Sequence, residues 1–186
     1  MMKKTVAILL CLAMLLGCAA AMAEAADKTV IGQVNMNGQF TLKCALPEGY
    51  VLVANEIEPN SYSGVVSSDD PERPEMILTI AFNEMYSNVE RLNDLSDADM
   101  ELLKETFTDE YQVEFSFMET AYGTKVLVAK EIEGEVDFVD FYTVYKGYEV
   151  EIVMVNEVGD TYVPVTDEQM QLAMDFLTNM DFVPAE

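Results

Sequence analysis

Histidine and tryptophan are both missing from this chain of 186 residues. Without an imidazole there is no Ser-His-Asp or Cys-His nucleophile, and no His-ligated zinc, copper or non-haem iron. Basic residues are scarce as well, 10 Lys and Arg against 34 Asp and Glu, for a formal net charge of −24. Such a surface repels nucleic acid and anionic lipid head groups, so neither is expected as a direct partner. No G-x-G-x-x-G or G-K-[ST] pattern occurs, and Gly32 and Gly38 fall in a hairpin, so a phosphate-binding loop is also excluded.

What is present begins with the N-terminus. Met1, Met2, Lys3 and Lys4 form a short positive segment, followed by an apolar run from Val6 to about Ala21. Ala21-Met22-Ala23 supplies the A-x-A pattern of signal-peptidase cleavage. Residues 1–23 are therefore expected to be a bacterial signal peptide, and 24–186 a single secreted, extracellular, acidic domain. Cleavage removes Lys3 and Lys4, which leaves 8 basic residues against 34 acidic ones and a net charge near −26. Cys11 and Cys18 leave too, so Cys44 stands alone and no intramolecular disulfide can form. An alternative is lipoprotein anchoring, because Leu15-Leu16-Gly17-Cys18 resembles a lipobox with Cys18 as the lipidated residue. Against it, a bulky Leu16 stands two before Cys18, and 19–22 continue the apolar run. No other stretch is long and apolar enough to span a membrane.

The rest of the chain predicts strands and two helices. Segments 29–36 and 39–45 flank Asn37-Gly38, a strong hairpin signal. Further strands are predicted at 50–57, 62–67, 75–82, 112–118, 125–132, 136–145 and 148–157. Tyr122-Gly123, Glu133-Gly134 and Lys146-Gly147 separate the last four. Glu149 and Glu151 alternate with Tyr148, Val150, Ile152 and Met154. Val153 and Val155 make both faces apolar at the far end of that strand, so something is expected to cover its second face there. The first helix is predicted to start at the cap Ser96, with Asp97 and Asp99 in its first turn and Leu95 stapled to Met100. Its inward stripe is Met100, Leu103 and Phe107. The final helix has Thr166 and Gln169 as a capping box, Val165 and Met170 as a staple, and a stripe of Met170, Ala173, Met174, Leu177 and Met180.

This order predicts an α+β fold, an antiparallel sheet of hairpins packed by two helices. Phe40-Thr41-Leu42 through Leu46-Pro47-Glu48-Gly49-Tyr50 resembles the opening segment of the PsbP-like superfamily. Asp175-Phe176-Leu177 through Asp181-Phe182 is similar to its closing helix and aromatic, although Tyr50 stands where Trp is more usual. The resemblance implies an α/β/α sandwich and a non-catalytic binding or accessory role, with no particular ligand.

Candidate chemistry is limited to carboxylates and one thiol. Cys44 lies on the apolar face of its strand and reads as a core residue. Asp69, Asp70, Glu72 and Glu75 crowd a Pro-rich loop that could form a weak calcium site. Asp97, Asp99 and Glu101 imitate part of an EF-hand loop but lack its Gly and terminal Glu, so they read as a helix N-terminus. Tyr142, Tyr145 and Tyr148 could line a groove, although strand packing explains their alternation. A carboxylate pair could run glycoside hydrolysis, but with 34 acidic residues some pair meets the distance by chance. No catalytic residue, metal ligand or cofactor is assigned. The expected function is non-catalytic binding to a protein or cell-envelope component, with a calcium-responsive extracellular module and a carboxylate-based hydrolase as alternatives.

Overall fold

Asn37 and Gly38 both adopt positive φ, 50° and 75°, in a three-residue loop, 37–39, where the Gln39 N–H donates to the Met36 carbonyl at 2.8 Å. They join β1 (Ile31–Met36) to β2 (Phe40–Ala45), with Met36 opposite Phe40 and Ile31 opposite Ala45. The computed structural model describes residues 31–185 apart from 71, 72, 74, 109–111, 132–137, 156, 159–160 and 163–164. The predicted signal peptide, the Cys18 segment, Glu72 and the Glu133-Gly134 turn lie outside the described residues.

After β2 come β3 (Tyr50–Glu58), β4 (Ser61–Ser68), β5 (Glu75–Phe82), α1 (Asp97–Phe107), β6 (Val113–Glu119), β7 (Lys125–Glu131), β8 (Phe138–Tyr145) and β9 (Tyr148–Val155). The chain ends with the short pair β10 (Glu157–Val158) and β11 (Thr161–Tyr162), then α2 (Asp167–Thr178) and β12 (Asp181–Pro184). Seven strands form one antiparallel sheet in the order β3-β4-β5-β9-β8-β7-β6, and three form a second, β1-β2-β12. Lys146 and Gly147, at φ 51° and 79°, make the tight turn between β8 and β9.

The helix-flanked α/β/α sandwich expected from the sequence is not what forms. The fold is a β-rich sandwich of two sheets with two helices. The difference arises at β12, which pairs with β2 and sets Phe182 opposite Leu42. Together with the first hairpin it makes a second sheet, and that sheet with α2, rather than a purely helical layer, covers one face of the large one.

Both helices begin as expected. The Ser96 hydroxyl accepts from the Asp99 N–H, and Thr166 and Gln169 form a reciprocal capping box. Val165 and Met170 pack against the main core, and Leu95 against a smaller one.

The large sheet has two unlike faces. On the first, Met76, Leu78 and Ile80 of β5, Val139 and Phe141 of β8 and Val150, Ile152 and Met154 of β9 meet the small sheet and Ala173, Phe176 and Leu177 of α2. Phe40 lies at the centre, edge-on to Tyr145 at 5.1 Å and Tyr148 at 5.3 Å, while Phe182 stacks on Tyr145 at 4.6 Å. Rings favour such edge-on and offset contacts because of their quadrupoles. On the second face the cover is partial. Met100 and Leu103 of α1, with Tyr86 and Leu92, pack on Leu127, Tyr142 and Val144. Phe107 closes that core edge-on to Phe115 and Tyr142. No described helix extends the cover past β8.

Candidate functional site

Among the described residues, the open part of the second face is built by β3, β4, β5 and β9 and ends at β8, whose Asp140, Tyr142 and Val144 are buried. Directly opposed residues share a face, so the pairing register gives its rows. One row runs Val53, Val65, Ile77, Val153 and Asp140. The next runs Glu56, Ser63, Thr79, Glu151 and Tyr142. A third holds Glu58, Ser61, Ala81, Glu149 and Val144.

Apolar side chains are left open here: Val53 is 47% exposed and Ile77 39%. Val153 is half-buried, so the covering expected over the far end of β9 is incomplete among the described residues. The five strands contain no Lys or Arg. They carry six acidic residues, Glu56, Glu58, Glu75, Asp140, Glu149 and Glu151, and the register places all six on this one face.

Two of these carboxylates differ sharply in their company. Glu149 Oε1 accepts from the Tyr142 hydroxyl at 2.6 Å and from Asn83 Nδ2 at 3.0 Å. Burial and this hydrogen bond to a carboxylate push the Tyr142 phenol far above its ordinary range. Asp140 is only 7% exposed, yet among the described residues no donor or cation reaches it. Burial, with the neighbouring Glu151 charge, raises its carboxyl to about 7. Glu151 is raised as well, by burial first and by Glu149 second. Among the described residues no side-chain oxygen or nitrogen is both sealed from solvent and unpartnered. The Asp140 oxygens therefore keep a window onto solvent.

The nearby cations are already engaged at the other end of the face. Lys104 pairs with Glu101 at 2.8 Å and lies over Phe115 and Phe117, and Lys125 sits 4.1 Å from the Phe117 ring centre. A second concavity, about 460 Å³, separates the edges of β1 and β3 and is lined by Val34, Leu46, Leu52, Ile57 and Tyr62 among others. Among the described residues no charged side chain lines it.

The sequence-nominated residues lie elsewhere. Asp69, Asp70 and Glu75 are all exposed. Arg73 from the same loop donates to the Glu48 carbonyl at 2.7 Å and lies over the Tyr50 ring. Among the described residues no group of three His, Cys, Asp or Glu is arranged to hold a metal ion. Asp97 and Asp99 occupy the first turn of α1, as a helix N-terminus. Cys44 is buried facing the main core, and desolvation pushes its thiol up to about 12. The three tyrosines line no common groove: Tyr145 and Tyr148 point into the first core and Tyr142 into the second, all buried.

Asp140 and its relation to Glu151 were not nominated from the sequence. The only signal was a lone Asp inside Phe138-Val139-Asp140-Phe141-Tyr142, a run otherwise wholly apolar or aromatic. No described helix is long and apolar enough to cross a membrane. Compared with protein-family models and with curated proteins, the chain matches none of them.

Proposed function

We propose that this is an exported, non-catalytic binding domain whose partner is a basic protein outside the cytoplasm. The open face of the seven-stranded sheet is the surface that engages it. The observation that carries this reading is the pairing of half-exposed Val53 and Ile77 with six carboxylates and no cation on one side of five adjacent strands. An apolar strip flanked by charge of one sign is what a docking surface needs. The strip supplies burial, and the charge selects partners and speeds encounter. The export half of the proposal rests on residues 1–23.

Asp140 beside Glu151 is also a carboxyl pair of the kind glycosidases use, although here burial raises both members rather than setting them apart. Among the open-face residues whose side chains are described, no exposed aromatic offers a platform for a sugar, which favours binding over hydrolysis. Turnover of a glycoside lost in Asp140→Asn would reverse that preference.

A photocrosslinking residue at position 77 tests the docking surface, with one at exposed Gln171 on the outer side of α2 as control. The expected result, in the producing cell's extracellular and envelope fractions, is a discrete adduct from position 77 that weakens as salt is raised. Equal adducts from both positions, or none from 77, would remove the face from consideration.

A further inference from the structure

We propose that Asp140 and Glu151 receive the charged end of one lysine or arginine side chain of the partner, whose stem lies along Val153 and Ile77. This rests on the binding role proposed above and names the anchor within that face.

The geometry is that of a diagonal cross-strand pair. Asp140 opposes Val153, and Glu151 opposes Tyr142, two residues along. Diagonal neighbours sit about 7–8 Å apart at Cα, close enough for two carboxylates to share one ammonium or guanidinium. Tyr142 and Asn83 hold Glu149 and so define one side of the position. Ala129 of β7, opposite Asp140, is small and buried and contributes no polar group.

The second observation is the state of Asp140 itself. A carboxylate nine-tenths buried with neither donor nor cation is costly, and native proteins ordinarily give such groups partners. Glu149, two positions from Glu151 on the same strand and face, shows that donors are supplied where the fold intends them. Asp140 is left without one while its oxygens retain contact with solvent. Among the described residues every charged group that the register places near it on this face is acidic: Glu149 and Glu151 from β9 and Glu131 from β7, with Glu75 beyond on β5. Lys104 and Lys125 are held on the Phe115 and Phe117 rings. The missing cation must come from outside the described residues. A divalent metal fits less well, because no third ligand converges there among them. A lysine or arginine stem matches the adjoining valine and isoleucine wall, since both side chains lay their methylenes along apolar surface.

Binding then depends on pH. The free Asp140 carboxyl, raised by burial and by Glu151 to about 7, must ionise before it pairs. The complex should tighten several-fold between pH 6 and pH 8 and release a proton on forming.

The test uses the full chain, produced by export from a host so that it carries whatever N-terminus processing leaves. The probe is a short blocked peptide with one lysine between two valines, titrated by NMR, and its twin carries acetyl-lysine. The lysine peptide should bind about tenfold more tightly than its twin at pH 8, and Asp140→Asn should erase that difference together with the pH dependence. Glu151→Gln should weaken the lysine peptide. Asp175→Asn, an equal loss of charge on the far side of the molecule, should change little. Ile77→Thr should weaken both peptides. If Ile77→Thr weakens binding while Asp140→Asn does not, the anchor is refuted and the docking face stands. If neither variant matters, both readings fall. If Asp175→Asn weakens the lysine peptide as much as Asp140→Asn, the attraction is diffuse and the anchor is refuted. Displacement of the peptide by calcium at matched ionic strength, lost in Asp140→Asn, would replace it with a metal site.

Discussion

The two faces of the seven-stranded sheet are made from the same strands and obey opposite rules. On the first, Leu78, Ile80, Ile152 and Met154 are sealed beneath a second sheet and α2. On the second, their immediate neighbours Ile77, Thr79, Glu151 and Val153 are left partly open, and the acidic residues that gather on these strands have no Lys or Arg among them. Burial on one face carries stability. The other face is free to be costly, and an unpaired Asp140 is the form that cost takes.

That division can be broken most severely by removing the cover of the first face. Truncation after Pro164 deletes α2 and β12 and bares Phe40, Leu42 and Tyr145. No cooperative melting by circular dichroism is expected, and a soluble, sharply melting remnant would show that the first face needs no lid. Single substitutions on adjacent positions of β5 should separate the faces next. Leu78→Ala, fully buried, should cost about 3 kcal/mol in urea unfolding. Ile77→Ala, 39% exposed, should cost under about 1 kcal/mol. Similar losses at both positions would mean the second face is packed after all.

Acidity should act in an unusual direction. Asp140 titrates near 4 in an unfolded chain and at about 7 when folded, so the folded state holds its proton longer. Its contribution to stability is greatest at low pH, declines as pH rises between those values, and is fully lost above about 7. Glu151, also raised, adds to the same trend. Asp140→Asn should therefore gain about 2–4 kcal/mol at pH 8 and little at pH 4. Urea midpoints of both proteins across that range are the check, and parallel pH curves would refute the assignment. The smallest effect concerns Cys44, buried with its thiol raised to about 12. Labelling by a thiol reagent should follow global unfolding, and fast modification of folded protein would place that residue outside the closed core.

Much of this was legible in the chain. Alternation located the strands, Asn37-Gly38 fixed the first hairpin, and the caps at Ser96 and Thr166 placed both helices. Periodicity could not say which sheet a strand joins. Phe40, Leu42 and Cys44 present an apolar face whether β2 lies within the large sheet or across from it. The deciding partner, β12, is four residues ending in Pro184, too short and irregular to read as a strand. The acidic face escaped for a related reason. Glu149 and Glu151 read only as the polar positions of an alternating strand, and only the register with β8 sets Asp140 among them.

The pairing of β2 with β12 also governs when the molecule can exist. Leu42 and Phe182 lie 140 positions apart and sit opposite one another. The ring that stacks on Tyr145 and leans against Phe40 is therefore made long after the strand it completes. Contacts so distant in sequence form late, because the loop between them must close first. Until residues 181–184 are in place, β2 has only its hairpin partner β1 beside it.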